Sequence, residues 1–219
     1  MKVKELFEAK ERSILSAMGK QEDPYPRDFY CSNNLTSLEG APSVVNGYFS
    51  CAGNKLTSLA GAPSVVNGGF SCYNNKLTSL EGAPSVVNGD FACSNNKLTS
   101  LEGAPSVVNG IFYCSNNNLT SLEGAPSVVK GNFYCYSNNL TSLAGIHKIV
   151  KEIHGFANFY DNPIKSNVLG LMRIKGLTRV ILANKQVENI LNKYLTGDRD
   201  IIKCQSELLD AGLEEYAKL

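Results

Sequence analysis

A near-identical unit recurs every 21 residues along most of this chain. The tetrapeptide Leu-Thr-Ser-Leu begins at Leu35, Leu56, Leu77, Leu98, Leu119 and Leu140, and a block close to EGAPSVVNG follows it in the first five copies. Cys51, Cys72, Cys93, Cys114 and Cys135 keep the same spacing. Cys31 joins that column, although its CSNNL is one residue shorter than CSNNKL. A unit this short cannot bury an apolar face alone, so the copies must stack and share one core. That leaves a solenoid.

The phase of the unit resembles the leucine-rich repeat, L-x-x-L-x-L-x-x-N-x-L. In the second coil Phe49 and Cys51 take the strand positions, Asn54 the asparagine position, and Leu56 and Leu59 close the motif. Strand alternation sends Phe49 and Cys51 inward and Tyr48, Ser50 and Ala52 outward. Stacked coils then predict a parallel sheet with strands about 4.8 Å apart. Gly and Pro in GAPSVVNG predict an irregular return path. The Phe column (Phe29, Phe49, Phe70, Phe91, Phe112, Phe133) and the Leu columns form a continuous core. The Asn column (Asn34, Asn54, Asn75, Asn96, Asn117, Asn138, Asn162) is expected to bond the backbone of adjacent coils. A degenerate seventh coil reads HGFANFYDNPI, with Gly155 matching Gly47 and Asn162 matching Asn54. There Ala157 replaces the Phe and Phe159 replaces the Cys, an exchange that keeps core volume.

At both ends the pattern changes. Val3, Leu6, Phe7, Ile14, Leu15 and Met18 predict an amphipathic helix within residues 1–20, and the stretch with Pro24 and Pro26 reads as a turn into the first coil. After Pro163 the sequence predicts a helix near 165–175, a strand at 179–182, a helix near 185–195 and a last helix near 198–217, capped by Thr196 or Asp198. An exposed solenoid end requires a cap. The expected fold class is therefore an α/β solenoid with a concave parallel sheet, an irregular convex side, an N-terminal helical cap and a mainly helical C-terminal cap. Its parts are residues 1–27, the repeat over 28–164, and 165–219.

Composition excludes several functions. The chain of 219 residues carries 21 basic and 20 acidic side chains. The three parts have net charges of +1, −2 and +2, from six basic against five acidic, six against eight, and nine against seven. No part concentrates basic charge as a nucleic-acid groove does. No apolar run approaches the roughly 18 residues of a membrane helix. The charged start MKVKELFEAKERSIL does not read as a signal peptide. Six of the seven cysteines form one inward column without any C-x-x-C, which points to buried thiols in a reducing compartment rather than to disulfides or zinc. His147 and His154 lack the partners that a metal site or a general base needs. No phosphate loop, dinucleotide fingerprint or nucleophile elbow occurs. The columns of Lys55, Lys76 and Lys97 and of Glu39, Glu81, Glu102 and Glu123 are copied with the repeat and read as solvated stripes. Neither an enzyme nor a cofactor is expected.

The copies differ mainly at three outward positions. The first reads Asp28, Tyr48, Gly69, Asp90, Ile111, Asn132, Phe156; the second Tyr30, Ser50, Ser71, Ala92, Tyr113, Tyr134, Asn158; the third Ser32, Ala52, Tyr73, Ser94, Ser115, Tyr136, Tyr160. Seven of the ten tyrosines lie there. Mere tolerance of a strand surface would admit Thr, Lys and Glu, and none appears. Rigid aromatics among small polar residues are the composition of a recognition surface. The candidate contact residues are Asp28, Tyr30, Tyr48, Tyr73, Asp90, Ile111, Tyr113, Asn132, Tyr134, Tyr136, Phe156, Asn158 and Tyr160.

The unit x-F-x-C-S-N-N-K-L-T-S-L-E-G-A-P-S-V-V-N-G resembles leucine-rich repeat proteins of tailed bacteriophages and some bacteria, over about residues 29–164. The closing CQSELLDAGLEEYAKL is similar to the tails of such phage proteins. The resemblance implies a non-enzymatic interaction protein made in the cytoplasm of an infected bacterium. The repeat is also similar to that of bacterial effector ubiquitin ligases, but the catalytic domain is missing, and residues 165–219 hold a single cysteine. The expected function is protein binding on the concave tyrosine face, with a host or defence protein as the partner it inhibits. Small-ligand or single-stranded nucleic-acid stacking and a structural virion role are the alternatives.

Overall fold

Each copy starts its sheet strand at the phenylalanine. In the computed structural model, which describes residues 13–32 and 34–219, these strands are Phe29–Tyr30, Phe49–Ser50, Phe70–Ser71, Phe91–Ala92, Phe112–Tyr113, Phe133–Tyr134 and Phe156–Asn158. They lie in chain order in one sheet, with Arg179–Ile181 as the eighth strand, and every pairing is parallel. The register never slips: Phe49 faces Phe70, Phe91 faces Phe112, and Phe133 faces Ala157. The inward residues hand their N–H groups to the following coil, as Phe49 does to Gly69 O at 2.9 Å and Phe70 to Asp90 O at 2.8 Å. The architecture is a parallel β-solenoid of about seven turns.

One core runs through all the coils. Phenylalanine rings stack along it with centroid separations of 5.6 Å (Phe29–Phe49), 5.3 Å (Phe70–Phe91) and 5.7 Å (Phe91–Phe112). In the seventh coil Ala157 and Phe159 are both buried, and the Phe159 ring lies 5.9 Å from that of Phe133. The aromatic column is thus continued from the neighbouring inward position. The Asn column supplies the second thread. Asn75 accepts the Leu56 N–H at 3.0 Å and donates to Cys51 O at 2.9 Å and Cys72 O at 3.1 Å, joining adjacent coils through one amide. Asn54, Asn96, Asn117, Asn138 and Asn162 repeat the pattern. Asn34 does not. It is exposed and left-handed at φ 58°, because the shortened first coil puts it at a turn.

The return path is more regular than GAPSVVNG suggests. Val44–Val45, Val65–Val66 and Val86–Val87 form one parallel three-stranded ladder, and Val107–Val108, Val128–Val129 and Glu152–Ile153 form another. This corrects the irregular convex side read from the sequence. Paired β-branched residues favour extended backbone, and a register already fixed on the opposite face brings them side by side. The second valine of each pair is buried. The turn before it needs glycine: Gly124 has φ +80°, and a Cβ there would lie 2.3 Å from Glu102 N.

The expected helix positions Val3, Leu6 and Phe7 lie outside the described residues. Helix α1 (Ile14–Met18), capped by Ser13, buries Ile14 alone, whereas Leu15 and Met18 are exposed. Helix α2 (Ile146–Ile149) carries His147. The segment near 165–175 contains a 3-10 turn, Leu169–Arg173, rather than an α-helix; its Leu169, Gly170, Leu171 and Met172 are all buried, so no solvent-facing stripe exists. Helix α3 (Lys185–Leu195) packs behind the last strand, where Asn192 accepts the Val180 N–H at 2.8 Å and donates to Val180 O at 2.9 Å. One side chain thereby satisfies part of the open sheet edge. Helix α4 (Ile201–Asp210) is capped by Asp200, not Thr196 or Asp198, and stops well before residue 217, near left-handed Gly212. Arg199 is itself left-handed and donates to the carbonyls of Met172, Ile174 and Leu177, and the cap of α4 falls two residues after Asp198.

All seven cysteines are free and buried. Burial pushes the Cys31 thiol up to about 12 and the Cys204 thiol up to about 11, and it raises Cys51, Cys72, Cys93 and Cys114 as well. At pH 8 the native chain is expected to leave Ellman's reagent unconsumed, and to titrate seven thiols once unfolded in guanidinium. The raised thiols stay protonated in the fold when the unfolded chain ionises. Stability should therefore hold below about pH 8.5 and decline as pH rises beyond it, which denaturant midpoints at pH 7 to 10.5 would reveal.

Candidate functional site

The outward positions of the large sheet divide into three groups. In the first column, Asp28 Oδ1 accepts the Tyr48 N–H at 2.7 Å, Asp90 Oδ1 accepts the Ile111 N–H at 2.7 Å, and Asn132 Oδ1 accepts the Phe156 N–H at 3.0 Å. These three candidates therefore hold the next coil in place. Gly47, Gly110 and Gly155 clear the way for them, since a Cβ would come within 2.1, 2.2 and 2.2 Å of the same oxygens. Sequence reading missed this pairing, although a short polar side chain preceding a glycine in the next coil is its signal. Ile111 is half-buried.

The aromatics gather at two places. Tyr30, which is 63% exposed, lies 5.9 Å from Tyr48 and donates to Asp28 Oδ2 at 3.4 Å. Tyr48 lies across Gly69, whose absent side chain leaves room for the ring. Burial raises the Tyr48 phenol, while its hydrogen bond with Ser71 opposes the rise. Further along, Tyr113 stacks on Tyr134 at 5.1 Å with an interplanar angle of 4°. Tyr136 and Phe156 meet the Tyr134 ring edge-on at 6.5 and 5.2 Å. All four are half-buried. Tyr73 and Tyr160 are exposed; Tyr160 has Lys185 Nζ 6.0 Å from its ring centre and takes an N–H bond to Asn158 Oδ1 at 2.9 Å.

Between the two aromatic groups the surface drops. A depression of about 350 Å³ is lined by Tyr73, Tyr113 and Tyr136, by the buried Ser71 and Ser94, and by Ala92, Asn95 and Asn116. Ser71, Ser94 and Ser115 are buried although they occupy outward positions, because the tall tyrosines shade them. Ser94 Oγ accepts the Ser115 N–H at 3.0 Å, and the Ser115 hydroxyl has no hydrogen-bond partner among the described residues. These small residues were missed as site residues; their signal is the clustering of Gly, Ser and Ala at outward positions in the third, fourth and fifth coils.

Elsewhere the polar chemistry is structural. His154 Nε2 and Lys175 Nζ meet the Glu152 carboxylate at 3.1 and 2.9 Å. The His147 imidazole is held below its ordinary range, chiefly by burial and then by Arg173. Among the described residues, no group of three or more His, Cys, Asp or Glu is arranged to hold a metal ion. Nor is any helix among them long and apolar enough to cross a membrane. The chain has no match among protein-family models, curated proteins or solved structures.

Proposed function

We propose that the chain is a non-enzymatic protein-binding module that grips its partner with the tyrosine face of the large sheet. The observation that carries this reading is the cluster of Tyr113, Tyr134, Tyr136 and Phe156, whose rings are fixed against one another on consecutive strands. Rings already held in place lose little conformational freedom on binding, which is what an anchor residue requires. The finer identity proposed is a leucine-rich repeat protein of the kind found in tailed phages and some bacteria. It acts in the bacterial cytoplasm and sterically blocks a host or defence protein. The buried Asn ladder, the constant 21-residue register and the free buried cysteines support that assignment. In the same reading, the residues before and after the repeat serve as its caps.

The test is a combined replacement of Tyr113, Tyr134 and Tyr136 by alanine in tagged protein expressed in bacteria. Partner recovery should fall at least about tenfold, since truncating central aromatic anchors commonly removes 2 kcal/mol or more each. Unchanged recovery with an unchanged thermal midpoint would remove the sheet face from the reading.

A further inference from the structure

Of the 21 outward positions on the large sheet, two are charged, Asp28 and Asp90, and both are acidic. Asp28 divides its carboxylate between the Tyr48 N–H and the Tyr30 hydroxyl. Asp90 is different. It uses Oδ1 for the Ile111 N–H, remains exposed, and its charge is felt by the phenols of both Tyr48 and Tyr113. It lies two residues before Ala92, on the same face of the sheet, and Ala92 lines the depression bounded by Tyr73, Tyr113 and Tyr136.

None of the residues lining that depression is basic. Its lining offers the hydroxyls of Ser71 and Ser94 and the side-chain amides of Asn95 and Asn116. Tyrosine walls favour a flat occupant, the hydroxyl and amide oxygens accept from one with N–H groups, and the Asp90 carboxylate favours a positive one. A guanidinium meets all three conditions, with five N–H donors, no acceptor, and a plane that stacks on aromatic rings. An ammonium supplies the charge without the plane, and a neutral ring supplies the plane without the charge.

We propose that this depression receives the guanidinium of an arginine presented by the protein partner, stacked against the tyrosine walls with Asp90 as its counter-charge. The inference rests on the tyrosine-face reading and narrows it to a partner with an exposed arginine at the centre of its contact. Asp90 has two duties that one substitution separates. Asp90→Asn keeps an oxygen for the Ile111 N–H, as Asn132 already does for Phe156, and removes only the charge.

The probe is a blocked peptide, Gly-Gly-Arg-Gly-Gly, alongside the same peptide with lysine or with citrulline, the neutral isostere of arginine. Binding is followed by nuclear magnetic resonance shifts of the tyrosine rings. The arginine peptide should produce saturable shifts at Tyr113 and Tyr136, with the lysine peptide at least about threefold weaker and the citrulline peptide at least about tenfold weaker. Asp90→Asn should weaken the arginine peptide at least about fivefold at an unchanged thermal midpoint. Equal binding of arginine and citrulline peptides, or an Asp90→Asn variant that binds like the original, overturns the proposal. If the triple tyrosine variant loses its partner while the peptides show no preference for arginine, the sheet-face reading stands and the arginine proposal falls. If that variant keeps its partner, the sheet-face reading itself fails.

Discussion

Replacing Asn117 by alanine is expected to lower stability by about 2–4 kcal/mol, because one buried N–H left unpaired costs about 1–3 kcal/mol and each further hydrogen bond lost about 0.5–1.5 kcal/mol. Asn117 accepts the Leu98 N–H at 3.1 Å and donates to Cys93 O and Cys114 O at 3.1 Å each. The Leu98 N–H loses its partner outright, and the two carbonyls keep only the amides of Asn96 and Asn138, in a place where 7% exposure admits little water. For a chain of this size the thermal midpoint should drop by roughly 10 °C. Asn34 is the internal control, since it belongs to the same column by sequence yet sits exposed at a turn. Its replacement by glycine, which keeps the left-handed turn, should stay within about 0.5 kcal/mol of the parent. Equal losses at the two positions, read by circular dichroism on heating, would show that the amide ladder does not hold the coils together.

The second large effect is a compensation. Ala157 and Phe159 exchange the sizes found at every other coil, and both are buried against the Phe133 ring and its neighbours. Ala157→Phe alone forces a second ring beside Phe159 and should cost about 1–3 kcal/mol or more. Phe159→Cys alone leaves a void and should cost about 3–5 kcal/mol. Together they restore the arrangement of the preceding coils, and the double variant should return to within about 1 kcal/mol of the parent. The coupling, at least about 2 kcal/mol in denaturant midpoints, lies well above the additivity expected of independent sites. Simple additivity would mean that the two positions do not share one volume.

How far the sequence could be read follows from what each residue answers to. Phe49, Cys51, Asn54 and Leu56 recur with one period because each satisfies the same neighbour in every coil, so their directions were legible. The Val44–Val45 ladder was not, since Gly and Pro nearby signal turns while the partner that straightens the segment lies 21 residues away. Leu169–Arg173 was misread for a similar reason: four consecutive buried residues, Leu169 to Met172, leave no local period to follow. At the site, the sequence separated outward from inward positions but could not rank the outward ones. Nothing local shows that Asp90 and Asn132 also bond the next coil, or that Ser115, at an outward position, is buried.

The joint between coils is nearly the same at each step, an Asn oxygen accepting the N–H of a leucine 19 residues earlier across most of the array. A genetic crossover between two copies therefore rebuilds the joint it cuts. The product is longer or shorter by whole rungs, with its core intact and its tyrosines, serines and aspartates in a new order. Inheritance can thus redraw the face without renegotiating the scaffold, and a lineage under pressure to follow a changing partner could do so by recombination within its own gene.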